Sequence, residues 1–231
     1  MTAEIEDRKV HIVEHGTGGP LLFWGVGAQQ SEDIWKAAET LSELSERKSF
    51  TIAAFEAANW NNDFSPWKAP AVYGKDNFSG EGRKTLDWLC QKAVPWLDSR
   101  IAHSDKYIAG YSLAGLFALW SMYESSAFDG AVCCSGSLWF PGWRQYAQAN
   151  AGQINGDIYL SLGIREERTR NTVMASVGDN TRYQYELLKS CKNVCRFALE
   201  WNQGGHFTNI NERMIRGFQW ILQTISQLSD E

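Results

Sequence analysis

A serine between small residues is the first feature of the sequence that could do chemistry. Ser112 lies in the stretch GYSLAG, with Gly110 two residues before it and Ala114 two residues after it. This follows the pattern G-x-S-x-G, with alanine in the last place, in which a strand turns so sharply into a helix that both flanks must be small. Such a turn would present the Ser112 hydroxyl as a nucleophile.

The alternative is that Ser112 only caps a helix, since serine is common at helix N-termini. The motif alone leaves both interpretations open. Its context favours the nucleophile, because the apolar run KYIA before it predicts a strand and the run LFALW after it predicts a helix. Ligands bind beyond the carboxyl ends of parallel strands, which is where this turn would lie.

A nucleophilic serine needs a general base, and one histidine stands in the expected place. His11, His15 and His103 all precede Ser112, whereas His206 follows the predicted strand VCRFALEW in the stretch WNQGGHF. The interval between Ser112 and His206 leaves room for two βα units, and the two glycines allow the loop to bend. The other interpretation of His206 is a hydrogen-bonded loop histidine.

The acid that would orient His206 is less well defined. The loop after the predicted strand DIYLSLG contains Glu166 and Glu167, and a carboxylate there could stabilise the protonated histidine. Each glutamate could instead pair with one of the neighbouring arginines. Glu167 is the preferred candidate, and a Ser112–His206 pair assisted by a water or a backbone carbonyl stays open.

Two backbone N–H groups are candidates for stabilising an oxyanion. The N–H of Leu113 would lie at the start of the helix that follows Ser112. A second donor is expected from Gly25-Val26-Gly27, which follows the apolar run LLFW, and Val26 is the chosen residue.

The elements that must position these residues form a regular alternation. The pattern predicts βαβ units and one domain over residues 1–231, built on a mostly parallel sheet with helices on both faces. VHIV alternates in polarity, which predicts an antiparallel edge strand. The predicted strands are VHIV, LLFWGV, FTIAAFEA, KYIAG, GAVCCSG, DIYLSLG and VCRFALEW, and the predicted helices cover residues 31–46, 81–98, 113–125, 171–189 and 209–227.

Aromatic residues are candidates for the walls of a substrate pocket. Trp139, Phe140 and Trp143 lie in SGSLWFPGW, and Trp60 and Trp67 lie in the long connection 57–78, which resembles neither helix nor strand. Loops of that length in a compact domain tend to be functional. Core packing is the alternative for each of these residues. If several line the pocket, an aromatic or bulky substrate is favoured.

Four stretches together resemble the putative esterase family of the α/β-hydrolase superfamily, which includes esterase D and enterochelin-esterase-like enzymes. They are AGYSLAGLFALW, VCCSGSLWFPGW, SLGIREERTRN and LEWNQGGHF, and the resemblance extends from PLLFWGVG to the terminal helix. It implies an α/β-hydrolase fold and a serine esterase without a cofactor, with Ser112 as nucleophile and His206 as base. Ile164 stands where relatives often place Asp, which keeps Glu166 and Glu167 as substitutes.

The composition limits the other classes of function. The net charge is −5 at pH 7 and the basic residues form no block, so we expect neither nucleic acid as a partner nor a highly anionic substrate. No apolar run has membrane-spanning length and the N-terminus does not resemble a signal peptide, which predicts a cytoplasmic protein. Of the five cysteines, Cys133 and Cys134 are expected to be buried, and no metal site is predicted.

Three functions stay open at the level of sequence. The first is a carboxylic ester hydrolase acting on a small molecule. The second is a catalytically silent protein of the same fold that binds a ligand or partner. The third is an acyltransferase, in which an alcohol replaces water in the second half of the same reaction. The sequence does not predict the oligomeric state.

Overall fold

A central sheet organises the computed structural model, which describes residues 1–28, 31–45 and 49–223. The strands are β1 (Thr2–Ile5), β2 (Arg8–His15), β3 (Leu21–Gly27), β4 (Phe50–Ala57), β5 (Lys68–Ala69), β6 (Phe78–Ser79), β7 (Lys106–Tyr111), β8 (Gly130–Cys134), β9 (Gly156–Gly163) and β10 (Val194–Asn202). The α-helices are α1 (Ser31–Leu44), α2 (Trp60–Asp63), α3 (Gly82–Trp88), α4 (Val94–Asp98), α5 (Leu113–Glu124), α6 (Trp143–Ala149), α7 (Thr172–Ala175), α8 (Val177–Leu188) and α9 (Ile210–Gln223).

Eight of the strands form one mostly parallel sheet in the order β1-β2-β4-β3-β7-β8-β9-β10. The pairs β1–β2 and β2–β4 are antiparallel, and every other pair in this sheet is parallel. All seven predicted strands lie in it, so the predicted parallel α/β sheet is confirmed. A domain spanning residues 1–231 stays a prediction.

The predicted edge position of VHIV is wrong, although its antiparallel pairing is right. β1 pairs with β2 on the outside, and Thr2 lies opposite His11. The alternation of His11 with apolar neighbours suggested exposure, but the His11 side chain is buried and Nε2 lies 2.6 Å from a carboxylate oxygen of Glu56. A buried, paired histidine gives the same sequence pattern as an exposed one.

The apolar run of β3 is explained by helices on both faces of the sheet, which confirms that prediction. Leu22 and Trp24 belong to a core with α1 and α9, and the Trp24 ring lies 5.5 Å from the ring of Phe218. Leu21 and Phe23 point to the opposite face and join a core that includes α5. Because side chains alternate along a strand, a strand covered on both sides must be apolar throughout.

Two predicted helices are interrupted. The predicted helix 81–98 consists of α3, a π-helical segment Leu89–Ala93 and α4. Pro95 accounts for the π-helical segment. It has no backbone N–H to donate to the carbonyl four residues earlier, and its ring crowds that carbonyl. The predicted helix 171–189 divides into α7 and α8 at Ser176. Residues 46 and 224–227 of the predicted helices lie outside the described residues.

The connection 57–78 has more structure than expected. It contains α2 and β5, and β5 pairs with β6, which begins at the last residue of the connection. It nevertheless supplies Trp60 and Tyr73 to the cavity described below. None of the described helices is both long enough and apolar enough to cross a membrane.

Candidate active site

Ser112 occupies a strained turn between β7 and α5. Its φ of 59° and ψ of −122° lie in a region that residues other than glycine rarely adopt. The turn brings Gly110 so close to the first turn of α5 that a Cβ on Gly110 would lie 2.3 Å from the carbonyl carbon of Ala114. Steric crowding therefore requires the small residues that the sequence motif predicted.

The hydroxyl of Ser112 does not act as a helix cap in the described structure. Its Oγ lies 3.0 Å from Nε2 of His206, in the loop between β10 and α9. It also lies 3.4 Å from Oγ of Ser137. The structure thus brings together the serine and the histidine that the sequence singled out, at hydrogen-bonding distance.

The acid beside His206 is Glu166, so the preference for Glu167 is wrong in this geometry. Oε2 of Glu166 lies 2.7 Å from Nδ1 of His206. Glu167, one residue later, instead accepts two hydrogen bonds from the guanidinium of Arg182, at 2.8 and 3.0 Å. Glu166–Arg168 forms a single 3₁₀ turn, in which successive side chains point in different directions. The sequence could not indicate which glutamate faces the histidine.

The second oxygen of the Glu166 carboxylate is held by three donors. Oε1 accepts hydrogen bonds from the Gly163 N–H at 2.7 Å, the Ser135 hydroxyl at 2.8 Å and Arg213 Nη1 at 3.0 Å. Burial by itself would raise the pKa of Glu166, but the hydrogen bond and charge of His206, together with the Gly163 and Ser135 donors, outweigh it. The pKa of Glu166 is therefore lowered, and the carboxylate is ionised beside His206.

Arg213 fixes the loop that carries His206. Nη2 donates to the carbonyl oxygens of Gln203 and Gly205, both at 2.9 Å, and Nη1 donates to the Tyr111 hydroxyl at 3.0 Å. Tyr111 in turn donates to the His206 carbonyl oxygen at 2.6 Å. Burial raises the pKa of Tyr111 to about 12, so this donor keeps its proton at neutral pH.

Three further residues around the candidate site, Arg213, Tyr111 and Ser135, were not predicted from the sequence. The sequence carried a weak signal for Arg213, because it stands beside Met214 within the apolar pattern of the terminal helix. In the structure its side chain is only 2% exposed. Tyr111 is a variable position of the serine motif. Ser135 directly follows the apolar β8, and its φ of 45° marks a turn at the same sheet edge.

The two candidate oxyanion donors lie at this edge, one directly after the serine turn that follows β7 and the other near the end of the neighbouring strand β3. Leu113 is the first residue of α5, where backbone N–H groups have no partner within the helix. Val26 lies near the end of β3, one residue beyond Gly25, which is opposite Gly110 of β7. The Val26 side chain is fully buried. The donor role of each residue stays a prediction.

Ser112 and His206 open into an apolar cavity of about 300 Å³. Trp60 and Trp139 line it, as predicted. Phe140 and Trp143 are wrong predictions, because both are buried in the core beneath. Trp67 is also wrong, since its ring packs on Phe140 and Tyr146. The lining residues are Trp60, Tyr73, Tyr111, Ser112, Trp139, Met174, His206, Phe207 and Ile210.

Neither the cysteines of β8 nor a metal-binding cluster adds a reactive group to the candidate site in the part of the chain that the structure describes. Cys133 and Cys134 are buried in β8, as predicted, and burial raises the pKa of both thiols. Within residues 1–28, 31–45 and 49–223, no group of three or more His, Cys, Asp or Glu side chains is arranged to hold a metal ion.

Solved structures with a similar architecture include esterases and related hydrolases. A siderophore hydrolase, EstA from Aspergillus nidulans, matches with a TM-score of 0.81 and 16% identity, over 96% of this chain and 93% of that one. An IroE-like serine hydrolase from Shewanella oneidensis matches with a TM-score of 0.83 and 14% identity, over 96% and 80%. The enterochelin esterase of Shigella flexneri matches with a TM-score of 0.74 and 18% identity, over 98% and 58%. The chain has the α/β-hydrolase fold.

The family assignment rests on a separate comparison. No curated protein matches the sequence significantly. The family model described as "Putative esterase" matches residues 5–206, a range that includes both Ser112 and His206. Family membership supports ester hydrolysis as the class of reaction. The chain belongs to the putative esterase family.

Proposed function

We propose that this protein hydrolyses a small-molecule carboxylic ester through an acyl-enzyme on Ser112. The observation that carries the proposal is the continuous set of contacts from Ser112 Oγ to His206 Nε2 at 3.0 Å and from His206 Nδ1 to Glu166 at 2.7 Å. Serine hydrolases of several unrelated folds hold their nucleophile, base and acid in this same geometry. Ser112 lies on a strained turn that is open to an apolar cavity, which supports a catalytic role over a structural one.

In the proposed reaction, His206 accepts the Ser112 proton while Oγ attacks the ester carbonyl carbon. The N–H groups of Leu113 and Val26 are the proposed donors to the oxyanion. Protonated His206, stabilised by ionised Glu166, then gives its proton to the leaving alcohol. Water attacks the acyl-enzyme with His206 again as base, which releases the acid and restores Ser112.

The proposal does not extend to siderophores. At 14% to 18% identity, the similarity to siderophore and enterochelin hydrolases supports the fold and not the substrate. The lining of the cavity favours an ester with an aromatic or bulky apolar group. The intact contacts of Ser112 also support an enzyme over a catalytically silent binding protein.

A fluorophosphonate probe tests the proposal directly. We expect stoichiometric labelling of Ser112, found by peptide mass spectrometry, and its loss in Ser112→Ala and His206→Ala. Ser137→Ala is the matched control, because Ser137 is the neighbouring hydroxyl at 3.4 Å and is not the proposed nucleophile. A folded wild-type protein that is not labelled and that cleaves no activated ester would refute the hydrolase. Competing alcohols in the ester assay separate hydrolysis from acyl transfer.

A further inference from the structure

A second cavity adjoins the catalytic one on the far side of His206. Its volume is about 270 Å³, and it shares Trp139, Met174, His206 and Phe207 with the apolar cavity. Its other walls come from the loop after β9 and the start of α8. They are Arg165, Glu166, Arg168, Thr169 and Val177.

The charge of this second cavity is positive. Arg165 and Arg168 are exposed, and neither guanidinium has an ion-pair partner among the described residues. The nearby carboxylates are already engaged, since Glu166 pairs with His206 and Arg213. The Glu167 carboxylate accepts its two hydrogen bonds from Arg182, which are the main cause of its lowered pKa, and the charge of Arg168 adds to this effect. The two lining arginines therefore present uncompensated charge in an acidic protein.

The backbone holds these arginines in place relative to His206. The Ile164 N–H donates to the Asn202 carbonyl at 2.9 Å, and the Arg165 N–H donates to the Gly204 carbonyl at 3.0 Å, both in the segment that leads to His206. On the other side, the Asn180 amide donates to the Leu138 carbonyl beside Trp139. The two cavities are thus parts of one framework around the same histidine.

We propose that the second cavity is a carboxylate subsite, and that the substrate is an ester with an apolar group on one side and a single carboxylate on the other. This inference rests on the proposed hydrolase function. Arginine is suited to this role because its planar guanidinium donates two parallel hydrogen bonds to a carboxylate. An ester that spans His206 would place the apolar group against Trp60 and Trp139 and the carboxylate against Arg165 and Arg168. The charge of two arginines suits a ligand with one carboxylate better than a ligand with many negative charges.

Matched esters and a double variant test the subsite. The anionic esters are 4-nitrophenyl hemiglutarate, which carries the carboxylate on the acyl side, and 4-carboxyphenyl butyrate, which carries it on the alcohol side. Their neutral counterparts are 4-nitrophenyl butyrate and phenyl butyrate. In Arg165→Gln/Arg168→Gln we expect the anionic-to-neutral ratio of kcat/KM to fall about tenfold for at least one pair, mainly through KM. Because charges at an open site are screened, 0.5 M NaCl should lower the same ratio in the wild type.

Arg170→Gln is the matched control, since Arg170 is exposed on the same loop but does not line the cavity. We expect it to leave the ratios unchanged. The pair that responds identifies the side of the ester that carries the carboxylate. If neither ratio falls further in the double variant than in Arg170→Gln, the subsite is refuted.

A binding measurement separates failure of the subsite from failure of the hydrolase. Calorimetry on Ser112→Ala needs no turnover, and we expect the double substitution in that background to weaken the binding of 4-nitrophenyl hemiglutarate or 4-carboxyphenyl butyrate about tenfold. Equal affinities would overturn the subsite even in an active esterase. Weakened binding would support it even in a protein that Ser112 labelling had shown to be silent.

Discussion

Glu166 and Arg213 form an ion pair beneath the candidate active site, with 3.0 Å between Oε1 and Nη1 and side chains only 4% and 2% exposed. Glu166 follows β9, whereas Arg213 lies in α9 beyond the His206 loop. Since Arg213 also donates hydrogen bonds to the carbonyl oxygens of Gln203 and Gly205, the pair connects the proposed acid to the loop that carries the proposed base. Desolvated charges of this kind are costly to separate.

Replacing Arg213 should therefore destabilise the protein strongly. We expect Arg213→Met to lower the free energy of unfolding by about 3–5 kcal/mol, because it leaves the Glu166 carboxylate buried with one partner fewer. Arg216→Met is the control on the same helix. Arg216 pairs with Glu200 and Glu212 but is 48% exposed, so its loss should cost at most about 1 kcal/mol. Urea denaturation measures both, and equal losses would contradict the structural role of Arg213.

The two glutamates of one turn should differ in their effect on catalysis. We expect Glu166→Gln to reduce kcat on an activated ester about 1,000- to 10,000-fold, because the amide cannot stabilise protonated His206 and favours the wrong tautomer. Glu167→Gln should change kcat less than about threefold, since Glu167 contacts Arg182 and not His206.

Steady-state kinetics, with circular dichroism to confirm folding, checks this comparison. A small effect of Glu166→Gln would favour the alternative of a Ser112–His206 pair that works without a side-chain acid. A large effect of Glu167→Gln would mean that the acid partner changes when substrate binds.

The pH dependence of stability should report the environment of Glu166. Its pKa in the folded protein lies below the ordinary 4.5, so the folded state resists protonation more than the unfolded state does. The stabilisation from ionised Glu166 is therefore complete above pH 4.5 and is lost as the pH falls through the lowered folded value. We expect the stability difference between wild type and Glu166→Gln to shrink in that range.

Urea titrations at a series of pH values from 7 to 3 measure that difference. Glu167 is a useful comparison, because its pKa is also lowered, first by the hydrogen bond from Arg182. Its side chain is 32% exposed, so solvent screening should make the corresponding change smaller. A difference for Glu166→Gln that does not vary with pH would contradict an ionised, bonded carboxylate.

Local patterns in the sequence were sufficient to predict most of the sheet and two residues of the candidate site. Ser112 stands at a strand-to-helix boundary with small flanks, and His206 is the only histidine after it. Both signals depend on backbone geometry and chain order, which a single sequence carries. β1 was not predicted, because four residues of mixed polarity give no clear alternation.

The choice between Glu166 and Glu167 depends on tertiary contacts. Both glutamates lie in one 3₁₀ turn, and what distinguishes them is that Ser135, Gly163 and Arg213 surround only the first. These three residues come from segments far apart in the chain. The same holds for Trp139 against Trp143, which are close in sequence, although only Trp139 reaches the cavity.

The turn around Ser112 provides the last prediction, since substitutions at its two small flanks should differ in their effect on catalysis. A methyl group on Gly110 would lie 2.3 Å from the Ala114 carbonyl carbon and 2.7 Å from its Cβ, so Gly110→Ala must displace the start of α5. We expect a loss of about 1–3 kcal/mol in stability and a fall of at least tenfold in kcat, because the Ser112 hydroxyl would move away from His206.

Ala114→Gly removes a methyl group from the same contact and restores the G-x-S-x-G pattern. It should keep kcat within about twofold and cost about 1 kcal/mol for glycine in a helix. Thermal denaturation and ester kinetics on both variants check this, and an active, stable Gly110→Ala protein would show that the turn does not position the proposed nucleophile.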